Sequence, residues 1–321
     1  MSKTVRIATV VTVAFFMALL IVFPAVYMQA VSDGLRLFCV SVLPAMFPFF
    51  FFSRLLTSLD VAASLSRLVR KPVRYLFGAP EIGGYIFAMS VMCGYPVGAK
   101  LVSDSVQLGL CTEEEAKSLV AFTSTSGPLF VLGTVGSGMF GDTRTGVVIL
   151  VAHYLATILN GIVFKRRPSS KTPETSLPRP EGSYDDVLAD AVSSSVRSIL
   201  LIGAYITLFN MIATAFVHIG AVDAVGRLLA PLGISEGLCG GVLLGLIEVT
   251  RGTLLLAGTP DLLLSVPLAA ALVSFGGASI AFQSLAFLSK CKITAGYFFC
   301  TKISHAVITF LIAFALSALV F

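Results

Sequence analysis

Charge is what this 321-residue sequence has least of. Lys, Arg, Asp and Glu make up 12% of it, against roughly a quarter in an ordinary soluble domain. Hydrophobic residues make up 56%, and the mean hydropathy is +0.95. A soluble enzyme, a nucleic-acid binder and a disordered chain are excluded, because none carries so much apolar surface. Metal-ligand spacing is missing too: the six cysteines are scattered, with no CxxC pair and no Cys/His cluster, so no metal and no cofactor are expected. Cys39, Cys93 and Cys239 lie in apolar runs and read as small packing residues. There is no HExxH, no Walker loop and no Ser/His/Asp set in context. Gly136-Ser137-Gly138 reads as small-residue helix packing rather than a nucleophile turn. An enzyme is not expected.

Long uncharged runs are what the chain has instead. A crossing takes ~20 apolar residues, so there is material for about seven or eight. The first run, Ile7 to Ser32 after Lys3 and Arg6, outlasts a signal-peptide core of roughly 7–15 residues and predicts an N-terminal transmembrane helix over 1–32. Further runs cover 37–53, 82–99, 118–141, 145–164, 198–222, 237–247, 252–260, 262–289 and 303–321. Between them, Arg54, Arg67, Arg70, Lys71 and Arg74 flank an apolar stripe and predict a surface-lying amphipathic segment over 54–74. Thr112-Glu113-Glu114-Glu115 predicts a capped helix start at Thr112. Residues 165–186, with four prolines and five basic residues, read as a linker.

The two sides of that linker share an order of features. Arg36 and Arg197 each precede an apolar run. Gly83-Gly84 opens a run broken at Cys93-Gly94-Tyr95-Pro96-Val97-Gly98, and Gly240-Gly241 opens one broken at Glu248-Val249-Thr250-Arg251-Gly252-Thr253. Ser124-Thr125-Ser126-Gly127-Pro128 corresponds to Ser274-Phe275-Gly276-Gly277-Ala278-Ser279, and His153 to His305. The offsets are 161, 157, about 150 and 152 residues. This predicts two repeats, 33–164 and 187–321. The positive-inside rule places the N-terminus, the 54–74 segment and the linker in the cytoplasm. One of the three runs between the basic segments therefore cannot cross fully; run 82–103, broken by Gly-Tyr-Pro, is the best candidate for a re-entrant hairpin, which leaves three crossings per repeat. An odd number inverts the second copy: its amphipathic segment 221–236 and the C-terminus face outward, and loop 290–292, with Lys290 and Lys292, faces inward. The expected class is an all-α polytopic membrane protein with two inverted repeats and broken helices, the plan of many secondary transporters.

Backbone breaks at membrane depth are tolerated only where protein or a wet cavity satisfies them. Their free N–H groups suit anions. Candidate substrate-binding residues are therefore Gly94, Tyr95, Pro96, Gly98, Lys100, Ser124, Thr125, Ser126, Gly127, Glu248, Thr250, Arg251, Gly252, Gly276 and Gly277. Glu248 and Arg251, three apart, read either as a structural pair or as ligands. Lys100 reads as a ligand or as a side chain snorkelling to the surface. Asn210, Gln283, His153 and His305 read as cross-helix hydrogen bonders.

The strings CGYPVGAKLVSD, STSGPLFVLGTVGSGMFG and GLIEVTRG resemble the YlbJ-like sporulation integral membrane proteins, over roughly residues 35–320. That family contains a nucleoside-recognition gate region shared with concentrative nucleoside transporters. Cys93 stands where the family pattern more often has Ser. The resemblance implies transport of dipicolinic acid across the outer forespore membrane during sporulation. The resulting expectation is a carrier of a small organic anion, working in the lipid bilayer with an unidentified coupling ion. It has no nucleic-acid partner, and homo-oligomeric assembly is left open. The rivals are a nucleoside or nucleobase carrier and a non-transporting sporulation scaffold.

Overall fold

The computed structural model describes residues 3–58, 61–80, 82–166, 184–233 and 235–321. It is 87% helical, with no strand among the described residues. The helices are α1 (Lys3–Val22), α2 (Pro24–Leu37), α3 (Leu43–Ser58), α4 (Val61–Phe77), α5 (Ile82–Cys93), α6 (Val97–Gln107), α7 (Glu113–Thr123), α8 (Thr143–Val163), α9 (Tyr184–His218), α10 (Ala221–Leu229), α11 (Glu236–Ile247), α12 (Val249–Ala257), α13 (Leu262–Phe275), α14 (Gly277–Leu288) and α15 (Ala295–Val320). Phe38–Val42 and Phe130–Met139 are π-helical. Among the described residues, four helical stretches are long and apolar enough to cross a membrane: Thr143–Val163, Asp185–His218, Leu262–Cys291 and Ala295–Val320. Two bent helix pairs raise the number to six if each is one span.

The first run departs from expectation. The helix predicted at 7–32 ends at Val22, and the chain turns through 107° into α2. Pro24, at the start of α2, has no N–H to continue the α1 ladder and is well placed in a first helical turn. Residues 24–32 therefore belong to the next helix. α2, the Phe38–Val42 turn and α3 follow without a break to Ser58. The other boundary shift is at the linker. Residues 167–183 of the predicted 165–186 segment lie outside the described residues, and Tyr184–Asp186 already form the first turn of α9. Two aspartates there suit the positive end of the helix dipole.

Order recurs across the linker as the sequence implies. A long helix (α2–α3, α9) is followed by a short one (α4, α10) and by a pair of helices too short to span (α5–α6, α11–α12). Next comes a helix interrupted near its middle (α7 with Phe130–Met139, α13–α14), then an unbroken one (α8, α15). The long helices run antiparallel. Tyr27 meets His218, Gly34 lies against Thr207 and Asn210, Gly203 against Phe38, and Arg54 pairs with Asp190 at 2.8 Å. The last helices do the same, since Phe164 meets Tyr297, Asn160 reaches Thr301, and His153 faces His305. Equivalent helices that cross antiparallel are related by a two-fold axis perpendicular to them, the geometry an inverted repeat requires.

Loop contacts fit that arrangement. Arg166 pairs with Glu114 at 2.7 Å, Lys292 with Glu113 at 2.9 Å, and Lys165 reaches the Tyr75 carbonyl. The start of the linker, the end of α4 and the loop carrying Lys292 thus gather at one end of the bundle. The C-terminal end of α15, antiparallel to α8, lies at the other. The start of α7 has the expected box: Thr112 caps the Glu115 N–H, and Glu115 reaches back to the Thr112 N–H.

Candidate functional site: four helix breaks around one cavity

Each hairpin folds because glycine lets its two arms touch. In α11–α12, a Cβ on Gly252 would fall 2.2 Å from Gly245 Cα, and one on Gly241 would strike Leu256. In α5–α6, a Cβ on Gly98 would fall 2.6 Å from Ser90 Oγ of the other arm and 1.9 Å from the Thr123 carbonyl of α7. The tip at Gly94 (φ +69°) lies against Gly127, so the α5–α6 tip touches the α7 break directly. Gly276 and Gly277, both at positive φ, end α13 and start α14, and Gly277 packs on the Gly245 and Ile247 carbonyls at the α11–α12 tip. Glycine is the residue for which such backbone costs least.

All four breaks line one cavity of about 50 Å³. Tyr95 comes from the first hairpin, Ser126 and Gly127 from the α7 break, and Glu248 and Thr250 from the second hairpin. Ser279 and Gln283 of α14 come from the last break, and Val42 and Ile202 of the long antiparallel helices complete the wall. Glu248 caps α12, its carboxylate accepting the Arg251 backbone N–H at 2.7 Å. Gln283 is more than the packing residue the sequence suggested, because its side chain forms part of the wall.

Behind this wall lies a polar layer that the uncharged-run map missed. Lys302 of α15 is 2% exposed, donating to Tyr95 Oη at 2.7 Å and to the Ser124 carbonyl at 2.9 Å, with its ammonium over the Tyr95 ring. Among the described residues no carboxylate pairs with it. A buried ammonium without a counter-charge costs several kcal/mol, so its position calls for a functional reason. Tyr95 Oη in turn donates to the Ser274 carbonyl at 3.1 Å. His153 links the Ser126 N–H to Ser274 Oγ. Ser124 Oγ is buried, with no hydrogen-bond partner among the described residues.

Several expected ligands are elsewhere. Lys100 has a half-exposed side chain paired with Asp104 one turn on, outside the cavity. Its helix α6 has turned it to the surface, the snorkelling alternative. Arg251 does not pair through its guanidinium with Glu248. Its Nη1 donates to the Asn210 carbonyl at 3.0 Å, Asn210 Oδ1 at 3.0 Å and Thr214 Oγ1 at 2.7 Å. The reason is the break itself: three-residue spacing brings side chains together only on a continuous helix, and Glu248 is the cap outside α12. Thr125 bonds the Ser90 carbonyl, which holds α5 to the α7 break. Gly98 and Gly252 pack helices, and the Tyr95–Pro96 peptide is cis. Asn210, as expected, ties α9 to α2 through the Ala30 carbonyl. Gly136 packs against Gly146, as its small-residue reading required. Cys39, read as a packing residue, is exposed.

No protein-family model matches the chain. It is 28% identical to the sporulation integral membrane protein YlbJ of Bacillus subtilis (strain 168), over 94% of this chain and 81% of that relative. Its fold is similar to that of CNTnw, a helical nucleoside transporter. The inward-facing, substrate-bound CNTnw structure superposes with a TM-score of 0.60 at 12% identity, over 86% of this chain and 75% of that one. An outward-facing variant gives 0.59 at 14% identity, over 98% and 84%. The chain is thus an all-helical integral membrane protein, similar nearly end to end in sequence to YlbJ and in fold to CNTnw.

Proposed function

We propose that the chain is a carrier rather than an enzyme, and that it moves a small organic anion by exposing one cavity alternately to the two membrane faces. The observation that carries this reading is the convergence of four helix breaks, two from each half, on that cavity. Breaks are costly in lipid and are retained where they hold a solute. Lys302 supports an anion: its amine lies behind the wall, donating to the Tyr95 hydroxyl that lines the cavity, and has no carboxylate partner among the described residues. The N–H groups of the breaks add to it. Dipicolinate at the outer forespore membrane is the substrate that the sporulation resemblance implies. The linker end of the bundle is the cytoplasmic one, and the two repeats are inverted. A coupling ion and assembly of several copies are compatible with this reading.

A neutral nucleoside is the second reading. It is favoured by Glu248, Gln283 and Thr250, which suit hydroxyls and base edges, and by the displacement of Lys100 and Arg251 from the site. The test is uptake of labelled dipicolinate into liposomes holding the purified protein, with and without excess uridine. Saturable dipicolinate uptake untouched by uridine is expected. Uridine uptake without dipicolinate uptake would transfer the assignment, and uptake of neither would leave a non-transporting scaffold.

A further inference from the structure

We propose that His153 is the positioning residue that fastens the α7 break to the α13–α14 break, and that it does so as the neutral imidazole with its proton on Nδ1. The ring is fully buried in α8. The Ser126 N–H, 3.0 Å from Nε2, can only donate, so Nε2 must be the bare acceptor. The proton therefore sits on Nδ1, 2.7 Å from Ser274 Oγ, and is donated there. One imidazole thus joins the first repeat's break to the second's. Ser274 Oγ is also bonded to Thr309 Oγ1 at 2.8 Å, so the tie continues into α15. The titratable groups around the ring are Tyr154 on its own helix, Lys302 and His305 on α15 and Tyr95 at the α5–α6 tip. His305 in turn bonds Thr157 and the His153 carbonyl at 3.1 and 3.2 Å. A second proton on His153 would take Nε2 from the Ser126 N–H and set two donors against each other, so protonation opens the tie.

The tie is independent of which solute is carried. Only three histidines are present, His153, His218 and His305, so 15N-histidine spectra of the full-length protein in liposomes are assignable by single substitution. The expected signal, absent from His153→Gln, is that of a neutral Nδ1–H ring that holds from about pH 6 to 8, the range in which a free histidine titrates. An Nε2–H or doubly protonated ring at about pH 7 would overturn the proposal. Amide exchange at Ser126 provides the second measurement. His153→Leu should speed it at least about tenfold, as expected for loss of one buried hydrogen bond. His153→Gln, whose amide oxygen can take the place of Nε2, should restore most of the protection. Equal exchange in all three proteins would also overturn the proposal. Solute uptake is a separate arm that rests on the carrier reading: loss in His153→Leu with recovery in His153→Gln is expected, whereas uptake in His153→Leu at the wild-type rate would refute a positioning role even where the spectra hold.

Discussion

His153 and His305 face each other where α8 and α15 cross, ring centroids 4.9 Å apart, yet their protons sit on different nitrogens. His305 Nε2 lies 3.2 Å from the His153 carbonyl, which can only accept, so Nε2 carries the proton there. In His153 the same nitrogen is bare. Positions equivalent in the repeat have diverged: one side chain serves the breaks, the other the backbone of the partner helix. His305→Leu should therefore lower stability by about 1–3 kcal/mol, the cost of unsatisfied buried acceptors, while leaving Ser126 exchange unchanged. Thermal unfolding in detergent and amide exchange on one preparation check both halves.

Lys302 is the cation that should matter for an anion. Lys302→Gln keeps a donor for Tyr95 Oη and the Ser124 carbonyl but removes the charge. Dipicolinate uptake should fall by about tenfold or more, corresponding to the loss of one charge-assisted contact. Any uridine uptake should be spared. An equal loss for both solutes at matched protein levels would make Lys302 a structural residue.

Arg251 and Lys100 should both fail as ligands, in different ways. Arg251→Ala removes three hydrogen bonds to α9 and should cost about 2–3 kcal/mol, seen as a lower melting temperature. Lys100→Ala loses an exposed pair with Asp104, typically worth under ~0.5 kcal/mol, and should change nothing measurable. Neither should raise KM for the transported solute. A higher KM with unchanged stability for either would return that residue to the site.

The contrast between these residues shows what could be read in advance. The breaks were legible because Gly, Pro and hydroxyl clusters inside apolar runs have few other uses, and their matched order pointed to a shared site. The capped start at Thr112 and the facing histidines were legible for similar local reasons. Lys302 was not: the last run was bounded by charge, which made Lys302 a boundary, whereas α15 begins at Ala295 and carries it inward. Arg251 misled because its pairing assumed a helix continuous through Glu248. The turn at Pro24 was written in the sequence, but an uncharged run does not show whether its backbone is one helix.

Close backbone contact gives a sharp packing test. Gly252→Ala would place a Cβ 2.2 Å from Gly245 Cα, backbone against backbone, with no flexible side chain to yield. It should open the α11–α12 hairpin and abolish correctly folded protein or transport. Gly296→Ala, with nothing within 4 Å of the added carbon and a helical position in α15, should stabilise by roughly 0.5–1 kcal/mol. Size-exclusion profiles and melting temperatures of the two variants should diverge in opposite directions from the parent.

Glu248 separates the two substrate readings most directly. Its carboxylate lines the cavity and also caps α12 through the Arg251 N–H, so Glu248→Ala confounds a lost cap, worth about 1 kcal/mol, with a lost ligand. Glu248→Gln is cleaner, since the amide oxygen can still accept that N–H while the negative charge is gone. A carboxylate in the wall repels an anionic solute, and removing it should leave KM for dipicolinate equal or lower, with the maximal rate altered only if Glu248 also carries a coupling proton. A nucleoside held by its hydroxyls would instead lose a charged acceptor, and KM should rise by about tenfold. Uptake kinetics for the two solutes in the Glu248→Gln protein, measured beside its melting temperature, would set these outcomes apart. A rise in KM for dipicolinate with unchanged stability would argue that the solute reaches the site as a neutral or cationic species.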